Sequence, residues 1–174
     1  MFLPDALAIG QRKRDICERH GLTGLYPLDN TVDLAARDAS LQIFKGLEEM
    51  MDAADAIIAN LTPFRGPGAD PGTVYELGYM AGRGKLCFGY CNDPAPYAER
   101  VVRFMKVTAA PDKRLIDDDG LTVEDFGLPD NLMMIHALEL HGAPLVMPKA
   151  RPADIWHDLT SFEVCVRLAA GKLD

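Results

Sequence analysis

The sequence predicts an α/β fold, a single doubly wound domain over residues 1–174 with a mainly parallel sheet. Two short apolar runs, "AIIANL" at residues 56–61 and "LCFGY" at residues 86–90, read as strands covered on both faces. Stretches with helical spacing of apolar residues stand before, between and after them. Alternation of this kind builds a parallel sheet flanked by helices. A chain of 174 residues holds one domain with a real core and is too short for two comfortable ones.

Residues 4–20 have amphipathic spacing and end at Gly21, which marks a helix stop. "TGLYPL", residues 23–28, is a β-type run closed by the turn signal Asp29-Asn30. Residues 33–54 read as one long helix, with Leu41, Phe44, Leu47 and Met51 sharing a face. After the first buried strand, residues 73–83 form the next helix, stopped by Gly84. Residues 97–105 are helical, and residues 106–129 read as an irregular excursion turning at "DDDG". Residues 131–141 are a helix, residues 143–148 a last short strand or an extended loop, and residues 154–170 a closing amphipathic helix. The chain opens on a helix, whereas a flavodoxin- or Rossmann-like domain usually opens on a strand. Either the sheet is built in another order or a first strand is missing from this chain.

Composition narrows the function. A net charge of −8 argues against a general nucleic-acid binder, which needs a basic face. Arg12-Lys13-Arg14 is read as the wet side of the first helix. No run approaches the roughly 18 apolar residues of a membrane span, and the amino terminus lacks the pattern of a signal peptide. Cys17, Cys87, Cys91 and Cys165 read as buried free thiols of a cytoplasmic protein. The four histidines show no ligand pattern, so no metal is expected.

Ligands in open α/β sheets bind beyond the carboxyl ends of the strands. The longest loop on that rim is "TPFRGPGADPGT", and with its flanks it carries Asp55, Asp70 and Glu76. Each acid has a structural explanation. Thr73 and Glu76 fit the T-x-x-E capping box, Asp70 suits the positive end of a helix, and Asp55 can close the preceding helix. Together they also have a chemical one. A carboxylate held ionised by a helix amino terminus is a nucleophile for an anomeric carbon, and a second carboxyl can protonate the leaving group. The glycines of the loop, Gly72 among them, let backbone groups approach a ligand.

"ANLTPFRGPGADPGTVYELGYMAGRGK" resembles the signature of the nucleoside 2-deoxyribosyltransferase family. "FLPDA", "YPLDN" and "FGLPDNLMM" fall in the same order as in that family, so the likeness runs from Phe2 to about Gly142. The resemblance implies a nucleophilic Glu76, an Asp70 that contacts sugar or base, and an Asp55 that handles the proton on the base. Phe64 and Arg65 would line the pocket. Asn131 would reach a neighbouring subunit's site, which implies a homodimer or larger homo-oligomer; by itself Asn131 also suits a helix N-cap. The implied reaction passes deoxyribose from a 2′-deoxynucleoside to a free nucleobase without cofactor or metal. Members of the family carry a strand and a small Gly-Pro turn ahead of their "FLPDA", so a first strand and part of the sugar pocket are expected to be missing here. Two rivals stand beside the transferase: a nucleoside or nucleotide N-glycosidase using water, and a non-catalytic nucleotide-binding protein.

Overall fold

The computed structural model describes residues 3–29 and 32–173; Phe2 and Asn30 of the quoted motifs lie outside the described residues. The strands are β1 (Ala56–Asn60) and β2 (Leu86–Tyr90), joined in parallel with Ala56 opposite Leu86 and Asn60 opposite Tyr90. On its other side β2 meets residues 142–146 through the parallel bridges Cys87–Gly142 and Tyr90–Val146. The stretch at 143–148 is thus extended and joins the sheet at isolated points.

Side chains of β2 alternate between two helical layers, as the two-residue period of a strand requires. Phe88 and Tyr90 pack with Ile9 and Ile16 of α1 (Ala6–Arg19) and with Phe162, Cys165 and Val166 of α6 (Thr160–Leu173). Cys87 faces the opposite layer, where Leu77 and Met80 of α3 (Pro71–Gly82) meet Met134 and Leu138 of α5 (Leu132–His141). A Cβ on Gly89 would lie 2.8 Å from Leu138 Cδ1, so glycine is what lets α5 approach the sheet. All four cysteines are buried free thiols. The architecture is the predicted α/β one, with helices on both faces of a parallel sheet. Among the described residues no helix is long and apolar enough to cross a membrane.

Several elements differ from the sequence reading. Residues 23–26 join no ladder; they lie against α1, with the Tyr26 ring on Gly10, and lead into a 3-10 turn at Pro27–Asp29. The next helix, α2 (Ala39–Ala53), starts six residues later than expected at 33, because Asp33 and Ala36 close successive turns ahead of it. Residues 106–129 are not irregular. After α4 (Tyr97–Phe104) they hold an antiparallel meander of β3 (Val107–Ala109), β4 (Leu115–Asp117) and β5 (Thr122–Val123), packed on α4 through Val101 and Val123. Strands this short leave no run to detect, though "DDDG" does form the hairpin turn, with Gly120 at φ 82°. The closing helix begins at Thr160 because Asp154 and Asp158 direct their carboxylates onto the following amides. Lys13 is not on the wet side of α1. Its Nζ lies 5.3–5.8 Å from the ring centroids of Tyr26, Tyr90 and Phe162, and burial lowers its pKa to about 8.

Candidate active site

The rim beyond the carboxyl ends of β1 and β2 is tied together by polar side chains. Asn60 Oδ1 accepts the amide of Thr62, and the buried Thr62 hydroxyl accepts the amide of Asn92 across the sheet at 3.0 Å. Asn92 Nδ2 donates to the carbonyls of Ile155 and Asp158, both at 2.9 Å. A second clamp holds the far side of the rim. Arg100, fully buried, pairs with Asp130 at 3.0 Å and donates to the Pro129 carbonyl and to Cys91 Sγ. Asp130 in turn accepts the Asn131 amide and stands beside Gly68 of the long loop. This clamp was missed in the sequence, although Asp130 stands in the quoted "PDN"; its signal is long-range, since Arg100 lies 30 residues away.

The long loop leaves β1 and returns to α3 under that clamp. The Phe64 amide donates to the Gly68 carbonyl, and Arg65 at φ 54° lays its guanidinium 4.9 Å from the Phe64 ring centroid. A left-handed arginine is an uncommon conformation for a non-glycine residue. Arg65 is exposed, Phe64 half-buried, and both stand on the rim.

Asp70, not Thr73, is the N-cap of α3. Its Oδ2 accepts the Thr73 amide at 3.1 Å, with Pro71 opening the helix, an arrangement that suits both residue types. The T-x-x-E box is therefore not formed: Thr73 donates to Asp70, and Glu76 is relieved of capping. Gly72 is exposed, and a Cβ there would lie 3.1 Å from Asp70 Oδ2, so a side chain would press on the capping carboxylate.

Glu76 sits one turn into α3, half-buried, and accepts no hydrogen bond among the described residues. Burial raises its pKa above the usual carboxylate range, and the nearby charge of Asp70 raises it further. This reverses the expectation that the helix terminus keeps Glu76 comfortably ionised. Desolvation and a like charge outweigh the helix dipole, which acts mainly within the first turn.

The remaining predicted residues separate. Asp55 is exposed at the amino end of β1, where its carbonyl accepts the Leu86 amide. A five-residue strand, roughly 16 Å long, stands between it and the rim. Asp55 therefore lies at the other end of β1 from Asp70 and Glu76. A carboxylate just ahead of a strand lies at the end opposite the ligand rim. Asn131 caps α5: its Oδ1 accepts the Met133 amide at 3.1 Å and its Nδ2 donates to Glu124 at 2.9 Å.

Glu76, Asp70 and the loop from Phe64 thus converge, with two anchored rim segments beneath them. A half-buried carboxylate without hydrogen bonds is suited to attack an electrophilic carbon that excludes water on binding. Comparison with known proteins agrees in kind. The family model for nucleoside 2-deoxyribosyltransferase matches residues 1–133. An uncharacterized protein of Schizosaccharomyces pombe, C191.05c, is 31% identical over 157 residues, covering 82% of this chain and 74% of its own. The structure of a 2-desoxiribosyltransferase from Leishmania mexicana superposes with a TM-score of 0.65 at 29% identity, covering 97% of this chain and 89% of the other. The chain belongs to the nucleoside 2-deoxyribosyltransferase family.

Proposed function

We propose that the protein is a cytoplasmic pentosyltransferase that moves 2-deoxyribose between nucleobases through a covalent Glu76 ester. The observation that carries this reading is the division of labour on α3: Asp70 does the capping, which leaves the Glu76 carboxylate uncommitted and partly desolvated at the rim. Glu76 Oε attacks C1′ of a 2′-deoxynucleoside and the N-glycosidic bond breaks. Its electron pair stays with the departing base, which takes up a proton. A second base then attacks C1′ through its ring nitrogen, expels the Glu76 carboxylate and gives up its own proton. Two displacements restore the original anomer. With Asp55 at the opposite end of β1, the proposal gives the proton transfers to Asp70, the carboxylate whose charge reaches Glu76.

Phe64, Arg65 and the backbone at Gly72 would surround the nucleoside. The reading also implies a homo-oligomer. It is supported by an apolar groove of about 520 Å³ between α3 and α5, lined by Gly78, Gly82, Met133 and Leu140. Met133 and Leu140 are 72% and 81% exposed there, beside the cap residue Asn131.

The test is to incubate the protein with 2′-deoxyinosine and adenine. Formation of deoxyadenosine, abolished in Glu76→Ala, is the expected result. Hypoxanthine released without deoxyadenosine would make the protein an N-glycosidase. Nucleoside binding without turnover of either kind would make it a binding protein.

A further inference from the structure

Among the described residues three histidines meet carboxylates, and they do so in two ways. His20 Nε2 lies 3.3 Å from Glu163 Oε1, and His136 Nδ1 lies 2.9 Å from Glu139 Oε2. One carboxylate at one nitrogen is satisfied by the neutral ring, whose single N–H donates. His157 is engaged at both nitrogens: Nδ1 lies 2.7 Å from Asp154 Oδ2, and Nε2 lies 3.1 Å from Asp5 Oδ2. An ionised carboxylate only accepts, so a neutral ring would turn a lone pair towards one of these two oxygens. Only the imidazolium, with two N–H donors, satisfies both.

The charges around this ring come from two segments. Asp5 is the N-cap residue of α1, a place where an aspartate ordinarily accepts its own helix amides. Among the described residues its side chain makes no such bond, and the carboxylate goes to His157 instead. Arg12, also on α1, donates to the His157 carbonyl at 3.4 Å and brings the opposing charge. On the segment of His157 itself, Asp154 accepts the amides of Trp156 and His157 as well as the ring, while Asp158 accepts the Thr160 amide. Two carboxylates against one guanidinium favour the proton, and the His157 pKa is raised, first by the hydrogen bond to Asp154 and then by Asp5. The same turn, residues 154–158, moors the rim. Its carbonyls at Ile155 and Asp158 hold Asn92 Nδ2, and the Asn92 amide donates to the Thr62 hydroxyl just beyond β1.

We propose that His157 is a pH-operated positioning residue: as the imidazolium it latches the start of α1 to the turn at residues 154–158 and so fixes the seat of Asn92 at the rim. As pH rises, the proton on Nε2 leaves for solvent, because the shorter bond to Asp154 keeps the one on Nδ1. A lone pair then faces the Asp5 carboxylate and the latch opens. Of the two polar ties between α1 and His157, only that of Arg12 remains, and the seat of Asn92 loosens. The fold favours this proton, so the latch is whole below the ordinary histidine value of about 6.5. It is lost as pH rises through the raised value. The side chains of His157, Asp5 and Asp154 are 37%, 51% and 58% exposed, so salt screens the latch.

The test is nitrogen NMR of the whole protein from about pH 5.5 to about pH 9, read at the His157 ring and at the side-chain amide of Asn92. Nε2 of His157 should lose its hydrogen with a midpoint above about 6.5, while Nδ1 keeps its own. Through the same midpoint the Asn92 Nδ2 protons should lose about tenfold in protection, measured against an unstructured asparagine at each pH. Asp5→Asn should lower the midpoint by about half a unit and carry the loss of Asn92 protection down with it. If that variant does not fold, salt at about 1 M should lower the midpoint in the same direction. No readout needs turnover of a nucleoside, so this outcome is separate from that of the proposed reaction. The proposal is overturned if the midpoint lies at or below about 6.5, or if it ignores Asp5→Asn and salt. It is equally overturned if Asn92 protection does not follow the titration of His157.

Discussion

The two flanks of the sheet are built to different standards. Around β2 everything is closed: Cys87, Phe88 and Tyr90 are at most 2% exposed, both edges are bonded, and helices lie against both faces. Around β1, among the described residues, one edge is bonded, and α2 packs on the core through the half-buried Met51 without burying any residue fully. Glu76 and Asp70 stand at the rim between these halves. The contrast teaches where stability resides among the described residues: the closed half holds the rim in place.

Changes in the closed half should therefore cost most. Arg100→Met would leave Asp130 as a buried charge without its cation and release the Pro129 carbonyl. Breaking one partner of a buried pair costs about 3–5 kcal/mol, so calorimetry should show a Tm loss of about 10 °C or more. A loss under about 3 °C would show that the clamp is dispensable.

Gly89→Ala comes next. Its Cβ would lie 2.8 Å from Leu138 Cδ1 and 3.4 Å from Leu145 Cδ1, so the buried Leu138 side chain must move. Overpacking of this kind costs about 1–3 kcal/mol, readable as a lower urea midpoint. In the open half, Phe44→Ala should cost less than about 1 kcal/mol, because the ring is 43% exposed and touches mainly Tyr75. A larger loss would mean that α2 is packed in solution and that the asymmetry is not real.

The smallest effect has the opposite sign. Burial and Asp70 raise the Glu76 pKa, so the fold prefers its protonated form. Above that raised pKa the ionised group destabilises the fold, and the penalty fades as pH falls towards the unfolded value near 4.3. Glu76→Gln should accordingly raise Tm at pH 7.5, with the gain fading as pH falls towards the unfolded value. A lower Tm at pH 7.5 would show that the carboxylate is satisfied in solution. By the same pKa, transferase activity should fall on acidification sooner than an ordinary glutamate would dictate. Asp55→Asn should leave activity within about twofold, because Asp55 lies at the far end of β1 from the rim.

Local patterns were legible in the chain. The apolar runs at β1 and β2 are readable because a strand covered on both faces has no polar positions to hide it. The signature around Glu76 is readable because a loop of prolines and glycines running into "YELGY" is a long local pattern. The division between Asp70 and Glu76 was not legible. Asp70 and Thr73 both suit an N-cap, and in the fold Asp70 takes that place, with Pro71 opening the helix. Asp55 was misplaced because three acids in one stretch look close in sequence, while a strand separates their positions in space.

By itself the sequence determined which segments are buried, which loop carries the chemistry and which family the motifs resemble, because each depends on residue types a few positions apart. The tertiary structure decided what depends on groups from distant parts of the chain. It turned Lys13 inward, left residues 23–26 outside the ladder, and set the burial that opposes ionisation of Glu76. Desolvation and strand pairing are properties of a surrounding volume, and that volume exists only once the chain has folded.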